Sequence, residues 1–122
     1  MEDIEDLKVT ITRSRLCEMI GEGGIAELEA LFGQDYSDIV IRRCQAHGKF
    51  INFHTDVSRK TLQLTLNSDT EYEGGRLVFA TDGKLVIPER IAGTVTIHHN
   101  DIVHGVSILK SGVRYGLFFL LK

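Results

Sequence analysis

The sequence predicts a mainly β protein, a jelly roll or small barrel with one or two N-terminal helices packed on an outer face. Three observations predict it. From residue 38 onward apolar residues alternate with polar ones, the period of a strand. Turn residues interrupt that alternation at short intervals. Helical periodicity is confined to the first third of the chain, so the strands have no crossover helices between them and must close on themselves or on a second sheet.

The elements follow in order. The chain starts acidic and reaches Lys8-Val9-Thr10-Ile11-Thr12, a short strand. Ser14 is the expected helix cap before Leu16, Met19 and Ile20. Gly21-Glu22-Gly23-Gly24 breaks that helix, and Ile25, Leu28, Leu31 and Phe32 restore helical spacing until Gly33 stops it. The glycine-rich break is a linker between two short helices. It lacks the preceding strand and the following Gly-Lys-Ser/Thr of a phosphate loop. About eight strands follow: 39–44, 50–53, 61–66, 76–79, 84–87, 94–98, 103–107 and 113–121. Turns are expected at His47-Gly48, Asn67-Ser68-Asp69, Gly74-Gly75, Asp82-Gly83, Pro88, Gly93 and Ser111-Gly112. Residues 1–37 read as a helical support segment and 38–122 as the core, within one domain.

A length of 122 residues suits one compact domain. The net charge of −3 argues against a nucleic-acid surface. The acidic start lacks the pattern of a signal peptide, and the longest apolar run, Leu117 to Leu121, is too short to span a bilayer. The expectation is an intracellular protein, cytoplasmic or nuclear, without a membrane partner. Cys17 and Cys44 read as reduced thiols, one in a helix and one in a strand.

The stretch Phe50-Ile51-Asn52-Phe53-His54-Thr55-Asp56 carries the chemical signal. Residues two apart on a strand share a face, so His54 and Asp56 can offer an imidazole nitrogen and a carboxylate oxygen together. A second histidine would complete a 2-His-1-carboxylate site for Fe(II) with positions left open. The pair alone is weak, since a capped turn or a surface ion pair explains it as well. His99-Asn100-Asp101 repeats the pattern. His104 lies on a late strand that can return beside the first pair. Arg114 stands in an otherwise apolar strand, Gly112 to Leu120. A guanidinium keeps its charge, so it must reach solvent or face a buried anion. Gly116, on the same face, leaves room for a ligand. Gly74-Gly75 allows backbone or ligand to approach the start of its strand.

From about residue 38 to the C-terminus the chain resembles the Fe(II)/2-oxoglutarate-dependent dioxygenases, in the branch similar to prolyl 4-hydroxylases. The resemblance rests on His54-Thr55-Asp56, Leu66-Asn67, Gly74-Gly75 with Leu77 and Phe79, His104-Gly105-Val106, and Gly112-Val113-Arg114-Tyr115. It implies a double-stranded β-helix. It implies Fe(II) on His54, Asp56 and His104, and Arg114 on the distal carboxylate of 2-oxoglutarate, which two charge-assisted hydrogen bonds suit. The catalytic set is then His54, Asp56, His104 and Arg114, with Arg114, Thr65 and Leu77 at the cosubstrate. Dioxygen is the co-reactant and ascorbate is compatible. The His99 pair loses to His54 because only His104 stands in the family's relation to Arg114.

The implied reaction hydroxylates a C–H bond while 2-oxoglutarate is decarboxylated to succinate. A peptide or protein substrate, such as a prolyl residue, fits the resemblance best, and a small molecule is open. The family's tyrosine before the His-x-Asp motif is missing; the region reads Arg42-Arg43-Cys44. Thr65 is the substitute for its hydroxyl. His98 and His99 close a strand, one facing the barrel and one solvent, and Arg42 and Arg43 can flank the pocket mouth. Two alternatives stay open: a cupin-like metal-binding jelly roll, which has no need of Arg114, and a non-catalytic peptide-binding relative.

Overall fold

The computed structural model describes residues 5–45, 51–54, 58–107 and 109–122, with the backbone alone at 5–6 and 51–54. Strand β1 (Glu5–Ile11) leads into helix α1 (Arg13–Phe32). The cap is Thr12, whose hydroxyl accepts from the Arg15 N–H at 3.1 Å, and not Ser14, which is already helical. Both are good capping residues; the strand runs to Ile11 and fixes the earlier one. Gly21, at φ 80° and ψ 163°, breaks the helix where the sequence places its linker. That backbone conformation is cheap only for glycine. Gly33 ends the helix, its N–H donating to the Glu29 carbonyl at 2.7 Å.

Nine further strands follow among the described residues: β2 (Asp38–Gln45), β3 (Ile51–His54), β4 (Lys60–Thr65), β5 (Tyr72–Gly74), β6 (Leu77–Thr81), β7 (Lys84–Val86), β8 (Val95–His99), β9 (Val103–Val106) and β10 (Leu109–Leu121). Every pairing is antiparallel. The larger sheet runs β1-β2-β10-β4-β8, with β5 on the other end of β10. The smaller runs β3-β9-β6-β7. This is the mainly β jelly roll with a helical cover that the alternation predicts.

Two expectations change. Strand β5, preceded by a 3-10 turn at Asp69–Glu71, is too short to show a period. Ser111-Gly112 is not a turn but lies inside β10, next to a register shift between Leu109 and Ser111. A Cβ at Gly112 would sit 2.7 Å from the Glu71 carbonyl oxygen, so this glycine serves close packing against β5. The His47-Gly48 turn lies outside the described residues.

The larger sheet is covered on both faces. Leu16, Ile25, Leu28 and Phe32 of α1 pack on Ile39, Leu62, Leu117 and Phe119. Tyr36 stacks on Phe119 with ring centroids 4.5 Å apart, and Phe32 meets the same ring edge-on at 5.9 Å. The alternate residues of the same strands, Val40, Gln63 and Phe118, line a cavity on the opposite face. Leu77, His104 and Val106 of the smaller sheet close it. No helix among the described residues is long and apolar enough to cross a membrane.

Candidate functional site

The cavity has a volume of about 360 Å³. Its polar floor comes from β4, where Thr61 and Gln63 alternate with Leu62 and Leu64. Such alternation usually marks a solvated face. Here the leucines lie in or against the core beneath α1 and the polar residues are turned inward, with Thr61, Gln63 and Thr65 all buried.

Arg114 lines this cavity and is only 6 % exposed. Its backbone is held on both sides by one side chain: Asn67 donates to the Val113 carbonyl at 2.7 Å and accepts from the Tyr115 N–H at 2.8 Å. Gly75, at φ 62°, packs against the side chain; a Cβ there would lie 3.5 Å from Arg114 Cδ and 2.9 Å from Leu109 Cδ1. The guanidinium donates from Nη2 to Gln63 Oε1 at 3.0 Å. Its Nε is buried without a hydrogen-bond partner. Burial, and then the positive charge of Arg90, push its pKa down to about 10. The cavity lining adds Lys8 and Arg42, and no carboxylate among the described residues. The described lining therefore carries an excess of positive charge.

Two histidines form another part of the wall. His104 on β9 and His98 on β8 are 6 % and 5 % exposed, with ring centroids 4.5 Å apart. Phe79 packs against both, at 5.8 and 5.3 Å. His104 Nδ1 lies 3.1 Å from the Ile102 carbonyl oxygen. A carbonyl can only accept, so Nδ1 donates in this contact, which fixes the orientation of the ring. In the β3–β9 ladder His54 and His104 are direct register partners. The pairing brings residues fifty apart in sequence onto neighbouring strands.

The sequence-derived candidates divide as follows. His104, Arg114 and Leu77 line the cavity. His54 ends β3 opposite His104, and Asp56 lies outside the described residues. Thr65 is buried on β4 at the register position of Gly116, while its neighbours Thr61 and Gln63 form the lining. His98 is buried and His99 exposed, as the end of their strand suggests. Arg42 lines the cavity. Gly116 does not leave ligand space: a Cβ there would meet the Phe118 ring at 3.1 Å, so the ring of the next residue on that face takes the room. Tyr115 is 38 % exposed, and its hydroxyl accepts from Arg43 Nε at 3.4 Å.

Sequence reasoning missed Gln63 and Arg90. Gln63 had a signal, a polar residue between leucines on a strand with a buried partner. Arg90 had none, because it lies in an irregular segment after Pro88.

No family model matches the chain, and no curated protein matches it. Solved structures do. An oxidoreductase of the 2OG-Fe(II) oxygenase family from Burkholderia pseudomallei is 17% identical with a TM-score of 0.69, covering 97% of this chain and 68% of its own. A prolyl hydroxylase from Trichoplax adhaerens, solved with a hypoxia inducible factor peptide fragment, is 16% identical with a TM-score of 0.75, covering 96% and 63%. A Pseudomonas putida prolyl-4-hydroxylase is 20% identical with a TM-score of 0.60, covering 99% and 74%. This chain thus spans about two thirds to three quarters of their length. At these identities the likeness speaks for the backbone, and the chain has the fold of the 2-oxoglutarate/Fe(II) oxygenases, prolyl hydroxylases among them.

Proposed function

We propose that the chain is an Fe(II)- and 2-oxoglutarate-dependent dioxygenase that hydroxylates a peptidyl residue such as proline, converting 2-oxoglutarate to succinate. The observation that carries this reading is Arg114, a buried cation with no carboxylate beside it among the described lining residues, facing a cavity that His104 also lines. A structural arginine would be expected to bring its own counter-charge.

In this reading His54, Asp56 and His104 would hold the iron, which when bound supplies the centre where dioxygen is activated. His104 suits that role through its Nδ1 contact to the Ile102 carbonyl, which orients the ring. Arg114 binds the distal carboxylate of the cosubstrate, and Leu77, Val106 and Phe118 supply apolar wall around it. Thr65 stays a candidate for a supporting hydroxyl. The peptide substrate is supported by the peptide-bound relative from Trichoplax.

The test is calorimetric titration of 2-oxoglutarate into the protein with and without Mn(II), an oxygen-inert stand-in for Fe(II). Binding at one site that depends on Mn(II) is expected. Metal binding without 2-oxoglutarate binding would move the chain to a cupin-like reading, and binding of neither would overturn the enzyme. Succinate formation with Fe(II) is expected to vanish in His54→Ala and in Asp56→Ala.

A further inference from the structure

A second buried arginine stands behind the first. Arg90 is 2 % exposed. Its backbone is fixed by Asp69: the Arg90 N–H donates to Asp69 Oδ2 at 3.2 Å, and the Arg90 carbonyl accepts from the Asp69 N–H at 2.7 Å. The Asp69 carboxylate spends its charge elsewhere, on Arg76 Nη1 at 2.5 Å. The Arg90 guanidinium meets only neutral acceptors among the described residues. Nε donates to the Tyr72 hydroxyl at 3.2 Å, and Nη1 donates to Gln63 Oε1. That same oxygen accepts from Arg114.

One amide carbonyl therefore holds two buried guanidinium groups. Two consequences follow. The carbonyl end of Gln63 is committed, so the group it can offer the cavity is its NH2. That NH2 is also a better donor, because cations on the carbonyl oxygen polarise the amide. A glutamate at 63 would be expected to pair with both arginines and complete the cluster internally. Glutamine has the same length and no charge, and it leaves the cluster with a positive charge for a ligand to neutralise.

We propose that Arg90, acting through Gln63, is a positioning residue for the cosubstrate's distal anion. That subsite is then anchored by the Arg114 guanidinium and the Gln63 NH2 together, with the charge of Arg90 behind them. This rests on the 2-oxoglutarate reading above and adds its specificity. The arrangement selects 2-oxo dicarboxylates over 2-oxo acids of equal length that lack the distal carboxylate.

The experiment titrates 2-oxoglutarate and 2-oxopentanoate into the Mn(II)-loaded full chain, as wild type, Arg90→Gln, Arg90→Lys and Gln63→Glu. Arg90→Gln is expected to weaken 2-oxoglutarate about tenfold, leaving 2-oxopentanoate and Mn(II) affinities unchanged, and Arg90→Lys to restore part of the loss. Gln63→Glu is expected to abolish the preference for the dicarboxylate and to raise the melting temperature of the ligand-free protein, since its own carboxylate takes the ligand's place. A merely structural Arg90 would lower the melting temperature without changing the ratio of the two affinities. An unchanged ratio in Arg90→Gln would overturn the proposal while leaving the oxygenase reading intact. If Arg90→Gln does not fold, Arg90→Lys decides: a partial fall in the ratio is expected, and an unchanged ratio overturns the proposal. Failure of the wild type to bind 2-oxoglutarate with Mn(II) would overturn the oxygenase reading, and this proposal with it.

Discussion

The two faces of the larger sheet each carry a charged cluster, and they are built on opposite principles. On the helical face Glu29, 9 % exposed, accepts from Arg13 through both oxygens, at 3.0 and 3.2 Å, and from the Tyr36 hydroxyl at 2.6 Å. The hydrogen bonds from Arg13 and then Tyr36 hold the Glu29 carboxyl below the usual carboxylate range, against the opposing effect of burial. Charge is answered inside the chain. On the cavity face two arginines share one neutral oxygen, and repulsion adds to burial in lowering Arg114. The first cluster ties α1 to the chain that leads into β2. The second has no carboxylate partner among the described residues. Burial of a charge thus separates structure from function only when its partners are counted.

The largest expected effect breaks the cavity side. Arg114→Met should weaken Mn(II)-dependent 2-oxoglutarate binding by about a hundredfold, read by calorimetry. It should leave the ligand-free protein at least as stable as the wild type, because an apolar side chain replaces a buried cation that has no counter-charge among the described residues. The corresponding change on the helical face should do the reverse. Glu29→Gln should lower the melting temperature by about 5 °C, since Arg13 loses its two-pronged pair with Glu29 and keeps only the exposed contact to Glu22, and leave 2-oxoglutarate affinity unchanged. Loss of stability in Arg114→Met comparable to that in Glu29→Gln would erase the distinction between the clusters.

The fold was legible because alternation survives in every strand long enough to show it, and because α1 announces its apolar face through Leu16, Ile25, Leu28 and Phe32. Strand β5 was not, for three residues hold no period. The site was legible where a residue type is costly out of context. Arg114 among phenylalanines and leucines is such a case, and so is His104, whose place opposite His54 follows from the β3–β9 ladder. Gln63 was hidden by its strand, since alternating Thr, Gln and Leu reads the same whether the polar face meets water or an internal chamber. Arg90 was hidden by its segment. Its role comes from long-range contacts to Asp69, Tyr72 and Gln63 that no local pattern encodes.

Acid sharpens the comparison further. With its folded-state pKa lowered, Glu29 contributes stability that is fully present above the ordinary glutamate value of about 4.3. That contribution is lost as pH falls through the folded value below it. The stability gap between wild type and Glu29→Gln should therefore be constant near neutrality and close on acidification, measured by urea unfolding at a series of pH values. Arg114→Met should run parallel to the wild type through that window, since its guanidinium titrates near the opposite end of the scale.

The smallest expected effect isolates one atom. Tyr36→Phe keeps the ring that stacks on Phe119 and removes only the hydroxyl that donates to Glu29. Arg13 remains in its two-pronged contact, so Glu29 is still paired. The loss should be about 1 kcal/mol, less than in Glu29→Gln. The acid limb should begin closer to neutrality, because one of the three hydrogen bonds that hold the carboxyl down is gone. Binding of 2-oxoglutarate should not change, since the hydroxyl lies on the helical face of the sheet and the cavity on the other. An acid limb unmoved from that of the wild type would mean that Arg13 alone sets the Glu29 charge, and the helical cluster would then be an ion pair with a neighbouring phenol, not a three-membered unit.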